Sequence, residues 1–530
     1  GARGVLGGET VRVAIYDTSL RDGTQREGLN LLAEDKFKLA KRLDSFGVDY
    51  IEGGWPGSNP KDKEFFELCR DWTPKNAVVT AFGSTRKKNI KAEDDANLNA
   101  IVASGVKEAA IFGKSWLFHV KEALNTTAEE NLSMIRDSIE YLRAKGLGVH
   151  FLAEHFFDGY KADKEYALEC LSAAVGAGAK SIVLCDTNGG TLPSSVYEIT
   201  KAVCDAFPGA VVGIHAHNDA DLAVANSLAA VEAGARIVHG TINGFGERCG
   251  NANLSSIIPN LKLKMGCQLS AGENLHQLTQ LSNYFYEIAN LIPNDYQPFV
   301  GKAAFAHKGG VHVSALRKNP GTYEHIEPEV VGNRRRVLVS ELSGIASLSY
   351  KAEEYGIEGE RDMFAPILDT VKNLEYKGYS FEGAEASFEL LLKRSLGLVP
   401  EFFSLKGLRM IIEKNGNGSF VAEATVKIQV GDKVYHTVSE GDGPVNALDR
   451  ALRLALRDVY PEIENISLTD YKVRVLDQKS ATAASVRVLI ESSGFGASWG
   501  TVGVSPNIIE ASWNALFDSI VYGLYKSREV

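Results

Sequence analysis

The sequence predicts an α/β protein: a closed (β/α)8 barrel, then a helical connector, then a C-terminal α+β domain. Three observations lead there. Between Val11 and about Gly244, eight short β-branched runs alternate with longer amphipathic segments. Such alternation implies a parallel sheet, because each crossover helix returns the chain to the same end. Eight repeats in roughly 240 residues fit a closed barrel better than an open doubly wound sheet. No Gly-x-Gly-x-x-Gly follows the first strand, which weakens the dinucleotide-binding form of that alternative.

In chain order, the strands are expected at Val11–Tyr16, Tyr50–Gly53, Ala77–Phe82, Glu108–Phe112, Gly148–Ala153, Ser181–Cys185, Val211–His215 and Arg236–His239. Helical stretches lie between them, among them Glu34–Phe46, Ala128–Lys145, Lys164–Ala177 and Ala220–Ala233. The barrel so defined occupies residues 11–270. Residues 271–400 read as a mostly helical connector, broken into short pieces by Pro293, Pro298, Pro320 and Pro328. Residues 401–530 carry a weak internal repeat. Leu408–Glu413, Phe420–Val430 and Lys433–Val438 precede a helix at Val445–Val459. Ser467–Leu476, Ala484–Glu491 and Ser498–Val504 precede another at Ile508–Tyr525. Two units of similar order suggest pseudo-twofold packing in a ligand-sensing or dimerising module; the plainer alternative is a domain that only stabilises.

A chain of 530 residues exceeds one ordinary core, so two or three domains are expected. Its 45% hydrophobic and 23% charged residues are the proportions of a soluble globular protein. A formal charge of -10 argues against a nucleic-acid-binding surface. No apolar run approaches the roughly 20 residues that span a bilayer. Residues 1–10 lack the apolar core of a signal peptide and read as a flexible N-terminal remnant. Six cysteines stand singly at 69, 170, 185, 204, 249 and 267, which suggests reduced thiols in a cytoplasmic enzyme.

In a β/α barrel, chemistry gathers where strands end and the following loops begin. The polar residues sort that way. After strand one come Arg21 and Asp22; strand two runs into Glu52; strand five ends in Glu154-His155 and strand six in Asp186-Thr187-Asn188. Strand seven ends in His215-Ala216-His217-Asn218-Asp219, and the loop after strand eight carries Gly246-Glu247-Arg248-Cys249-Gly250-Asn251. Strand side chains alternate faces, so His215 and His217 point the same way and can reach one ion. With Asp22 and Asn251 on neighbouring rims, these residues predict a metal site. Mixed nitrogen and oxygen donors leave zinc, manganese, cobalt and magnesium open. Arg21 and Asp22 read either as a loop ion pair or as a fixed cation beside a hard ligand. Glu154 reads as a carboxylate that anchors Arg21 or manages a proton, against a rim salt bridge. Thr187 reads as a hydroxyl for a substrate carboxylate, against strand-end capping. His307 and His312 sit in a glycine-bearing loop outside the barrel, where an imidazole suits proton transfer or an interface. The basic runs Arg86-Lys87-Lys88 and Arg334-Arg335-Arg336 carry no assignment.

Taken together, the strand-one Arg-Asp-Gly, the strand-five Glu, the His-x-His-Asn-Asp and the Gly-Glu-Arg-x-Gly-Asn loop resemble the family of 2-isopropylmalate, homocitrate and citramalate synthases and their lyase relatives. The likeness covers nearly the whole chain. The wording of Phe112–Trp116, Ala153–Tyr160, Asp186–Gly190 and Gly246–Leu254 is similar to the citramalate branch. The resemblance implies an acyltransferase that condenses acetyl-CoA with a keto acid, pyruvate in that branch and 2-oxoisovalerate in the alternative. It implies Asp22, His215 and His217 as ligands of a divalent metal, with Asn251 a direct or water-mediated fourth. It implies Arg21 on the keto oxygen, Glu154 holding that arrangement and Thr187 on the keto-acid carboxylate. His312, from the partner subunit of a homodimer, would serve in proton transfer. The C-terminal domain would sense a branched-chain amino acid such as isoleucine. Some relatives carry a tyrosine near the segment matched by Gly332–Arg336; arginines stand here, and no tyrosine role is carried across.

Overall fold

The computed structural model describes residues 11–307, 315–316, 318–337, 345–357, 359, 361–381, 383–414, 418, 420–476 and 484–528. The N-terminal remnant expected at residues 1–10, and His312, lie outside the described residues. The chain divides into two compact units, Gly1–Phe305 with Ile326–Arg334, and Ala306–His325 with Arg335–Val530.

The first unit contains the expected barrel and also takes in residues 271–305 and 326–334, which the sequence pattern assigns to the connector. Its strands are β1 (Ala14–Asp17), β2 (Tyr50–Gly54), β3 (Val78–Ser84), β4 (Glu108–Lys114), β5 (Gly148–Glu154), β6 (Ser181–Asp186), β7 (Val212–Ala216) and β8 (Ile237–Gly240). They follow one another around a closed parallel sheet. Closure comes where β1 meets β8, with Tyr16 opposite His239. The first strand is shorter than the apolar run predicts. Val11 and Val13 exchange backbone hydrogen bonds with Gln268 at the N-terminal end of the barrel instead of joining the sheet. Several strands run further at their C-terminal ends, so Glu154 and Asp186 are strand residues and not loop residues.

Alternation of side chains sorts these strands into two layers. Ile15, Phe151, Ile214 and Val238 face the helices and join the large core between sheet and helix shell. Tyr16, Phe82, Leu152, Val183, Cys185 and Ile237 fill the inside of the barrel. Continuing the same parity carries Glu52, Glu154, His215 and His217 to the inner face at the mouth. Helix starts are fixed by side-chain caps where the chain supplies them. Asp95, Thr127 and Asp163 accept backbone N–H groups at the heads of Ala96–Ala103, Ala128–Ala144 and Lys164–Gly176.

After the barrel, Leu278–Ile288 is helical. No helix or strand is present from 289 to 305, a stretch that contains Pro293 and Pro298, so this part of the expected helical connector is irregular. In the second unit, β9 (Ala306–His307) pairs with β10 (Arg336–Val337). Helices Ile345–Glu354, Arg361–Tyr376 and Glu385–Ser395 pack through Leu348, Phe364, Val371 and Phe388.

The repeat read from the sequence is present as two three-stranded antiparallel sheets, each followed by a helix. The first has β11 (Ser404–Lys414), β12 (Phe420–Val430) and β13 (Lys433–Gly441), then Pro444–Leu456. The second has β14 (Ser467–Val475), β15 (Val486–Gly494) and β16 (Ala497–Ser505), then Ile508–Lys526. One core joins both halves, with Val426 and Leu452 from the first and Ile490 and Leu516 from the second. Among the described residues, no helix is long and apolar enough to cross a membrane.

The loop after β2 is tied down by a buried ion pair. Lys36 Nζ, lowered in pKa by burial, meets Asp62, and the other Asp62 oxygen accepts the Trp55 N–H at 2.8 Å. Gly54 lies against Asp62 so closely that a Cβ there would stand 2.3 Å from its carboxyl carbon. Lys36→Met strands the carboxylate, and the expected outcome is a loss of about 3–5 kcal/mol of stability, read by denaturant unfolding.

Candidate active site at the barrel mouth

A tight turn sets the two residues after β1. The N–H groups of Arg21, Asp22 and Gly23 all donate to the Thr18 carbonyl at 2.8–3.1 Å, while the Thr18 N–H is anchored on Gly240 of β8. Asp22 is thereby buried in the mouth. Its Oδ2 lies 3.1 Å from His215 Nε2 and accepts from Asn251 Nδ2 at 2.6 Å. Ligand atoms of Asp22, His215 and His217 lie within 4.8 Å of one another. Asn251 reaches them through a bridge that pairs it with His217.

The electrostatics of this cluster suit a cation. Burial works against ionisation of Asp22, but Arg21 and the two histidines outweigh it and hold the carboxyl well below the usual range. Burial, reinforced by the neighbouring His215, lowers the His217 pKa to about 4, so its imidazole is neutral at pH 7. An ionised carboxylate beside a neutral imidazole is the protonation state that metals require. Two buried atoms of the cluster, His217 Nδ1 and Asn251 Oδ1, have no hydrogen-bond partner. Buried polar atoms left unpaired cost free energy, and in a native site they call for an occupant. The donor set therefore fits a divalent ion.

Arg21 lies between two carboxylates. Its Nη1 is 3.2 Å from Asp22 Oδ1, and its Nε donates to Glu52 Oε1 at 2.7 Å. The guanidinium also stacks 3.8 Å over the Phe82 ring, which belongs to a box with Trp55 and Phe112. This corrects one expectation: Glu52 is the carboxylate bonded to Arg21, whereas Glu154 pairs with Lys114 Nζ. Glu154 comes from β5, on the other side of β3 and β4, while Glu52 comes from the strand next to β1. The sequence held the signal for Glu52, a carboxylate two residues after Tyr50 at the end of a strand. It named no partner for it.

Thr187 Oγ1 accepts the His155 N–H at 2.9 Å, which leaves the hydroxyl hydrogen free to donate. His155 itself adopts a left-handed backbone at φ 55°, a conformation that costs a non-glycine residue energy and clusters at functional sites. Arg248 Nη2 donates to the Thr187 carbonyl at 2.8 Å while its Nε donates to Asp219 at 2.7 Å, closing the loop after β8 over the strand-six rim. His307 Nε2 lies 3.1 Å from Glu324 in the second unit.

Comparison with known proteins accords with this architecture. The HMGL-like family matches residues 12–285, the homocitrate synthase post-HMGL domain-like family residues 299–378, and the LeuA allosteric (dimerisation) domain residues 382–524. The chain belongs to the family of 2-isopropylmalate and homocitrate synthases, acyltransferases that condense acetyl-CoA. Within that family it groups with the (R)-citramalate synthases. It is 54% identical to the (R)-citramalate synthase of Aquifex aeolicus over 98% of this chain and 99% of that one. With the (R)-citramalate synthase of Geobacter sulfurreducens the identity is 53%, over 98% of each. The 2-isopropylmalate synthase of Methanocaldococcus jannaschii is more distant, at 32% over 96% of this chain and 94% of that one.

Gly246 allows Asn251 its place, since a Cβ at 246 would stand 1.9 Å from Asn251 Oδ1. Gly246→Ala is expected to fold but to bind Mn2+ at least about tenfold more weakly, measured by competition with a chelating dye.

Proposed function

We propose that this chain is a citramalate synthase, joining acetyl-CoA to pyruvate and releasing citramalate and CoA on the route to isoleucine. The observation that carries the reading is identity of 45–54% to five (R)-citramalate synthases. The 2-isopropylmalate synthases reach 32–36%. In support, the aromatic box at Trp55, Phe82 and Phe112 crowds the face of Arg21, which suits a keto acid whose alkyl group is a methyl.

Asp22, His215 and His217 would hold the divalent metal, with Asn251 a direct or water-mediated fourth. The bound ion supplies Lewis acidity for the keto-acid carbonyl and carboxylate. Arg21, fixed by Glu52, faces the keto oxygen and stabilises the negative charge that develops there. Thr187 donates its free hydroxyl hydrogen to the keto-acid carboxylate. His312, contributed by the partner subunit of a homodimer, takes a proton from the acetyl-CoA methyl. The resulting carbon nucleophile attacks the keto carbon, and water then cleaves the thioester to give the acid and the free thiol of CoA. Glu154, paired with Lys114 of the neighbouring strand, would manage a proton in these steps. The C-terminal domain would bind isoleucine as a feedback effector of a cytoplasmic enzyme.

Thiol release from acetyl-CoA tests this with pyruvate, 2-oxobutyrate, 2-oxoisovalerate and 2-oxoglutarate as partners. Pyruvate is expected to give the highest kcat/KM, chelator to abolish the rate, and isoleucine to lower it. Preference for 2-oxoisovalerate would sink the substrate assignment, and chelator-insensitive turnover would sink the metal. Phe82→Ala is expected to shift the ratio of kcat/KM toward 2-oxoisovalerate by about tenfold or more, since one or two methylenes of pocket room discriminate on that scale.

A further inference from the structure

The geometry points to Tyr16 as a positioning residue that couples the arginine half of the site to the metal half, with His239 as its relay; this rests on the citramalate synthase reading above. Tyr16 is fully buried inside the barrel on β1, one residue before the strand ends. Its hydroxyl donates to Glu52 Oε2 at 3.2 Å, and the other Glu52 oxygen holds Arg21 Nε at 2.7 Å. With its single proton given to Glu52, the hydroxyl accepts from Thr80 Oγ1 at 2.7 Å. The carboxylate of Glu52 is thus shared between one phenol and one guanidinium. Its rotation is fixed, and so is the direction in which Arg21 presents its remaining N–H groups.

The ring of Tyr16 serves the other half. It stacks on His239 with centroids 3.9 Å apart and planes 2° from parallel. His239 Nδ1 lies 3.5 Å from His215 Nδ1, while His215 Nε2 faces Asp22 at 3.1 Å. A proton on His215 Nδ1 directed at His239 leaves the Nε2 lone pair for a ligand point shared with Asp22, the usual arrangement by which an outer residue fixes the tautomer of a metal-binding histidine. His239 Nδ1 must then act as acceptor, and its proton sits on Nε2, which is buried without a partner. An interior chosen for stability alone would place an apolar residue here and avoid that cost. Tyr50 and His150 wall in the remaining sides of the Tyr16 ring at 5.2 and 5.5 Å. One side chain therefore sets both the group that faces the keto oxygen and the group that sets His215.

Tyr16→Phe keeps the ring and removes only the hydroxyl. In the full-length protein with Mn2+, kcat for pyruvate-dependent thiol release is expected to fall about tenfold. KM for pyruvate, Mn2+ affinity by chelator competition and the melting temperature should stay within twofold or about 2 °C. In a Glu52→Gln background the same substitution should change kcat less than twofold, because the path to Arg21 is already broken. His239→Phe, which preserves the stack, is expected to weaken Mn2+ binding about tenfold. Wild-type kcat in Tyr16→Phe, its failure to fold, or additive effects with Glu52→Gln would overturn the coupling to Arg21. Undiminished Mn2+ affinity in His239→Phe would overturn the relay to His215. Absence of pyruvate-dependent thiol release in the wild type would instead count against the enzymatic reading, while the Mn2+ measurements on His239→Phe remain informative.

Discussion

Arg21 between Asp22 and Glu52 is the interaction on which the site depends. Three charged groups are taken out of water within one strand end of each other, and their arrangement leaves a net negative charge in the mouth of the barrel. Burying charge is costly unless every member is paired and hydrogen-bonded. Here the guanidinium satisfies two carboxylates and covers an aromatic ring with its face. What remains unsatisfied is directed inward, toward the imidazoles of β7 and the amide of Asn251. A cation would complete the balance that the protein leaves open.

The barrel makes that balance affordable to build. Strand pleating sends alternate residues of every strand to the same interior, so β2, β5 and β7 each contribute a polar group, Glu52, Glu154 and His215, without bending the backbone. Below the mouth, the interior carries more polar and aromatic rings than an ordinary aliphatic fill, with Tyr16, Tyr50, His150 and His239 packed edge and face. His150 bonds Ser181 and Glu108, so both of its ring nitrogens have partners. His239 and His217 keep an unpaired nitrogen each. Both of these unpaired nitrogens lie at or next to the cluster of Asp22, His215 and His217, where a functional role would offset their cost.

The C-terminal half is organised by repetition. Two sheets of the same order each cover one face with their own helix, and one apolar core serves both. A lone three-stranded sheet with one helix would leave much apolar surface in water; doubling the unit supplies the missing partner. This accounts for the presence of the repeat in the sequence, since both copies must keep the alternation that feeds the shared core.

Period and local chemistry determined a great deal without any tertiary information. The eight strands, the helices between them, the doubled C-terminal unit and the convergence of Asp22, His215, His217 and Asn251 all follow from alternation along short segments. Each depends on neighbours a few residues away, or on the rule that barrel chemistry lies at strand ends. Which carboxylate holds Arg21 depended on something else, the order of strands around a closed sheet and the lateral reach of side chains within it. Glu52 and Glu154 are both inward-facing carboxylates near the C-terminal ends of their strands, and pattern alone does not say which one meets Arg21. Adjacency of β1 and β2 gives Arg21 to Glu52, and Lys114 on neighbouring β4 claims Glu154. The stack of Tyr16 on His239 was equally invisible, because it joins the first and last strands, 223 residues apart in sequence, through the single step of barrel closure.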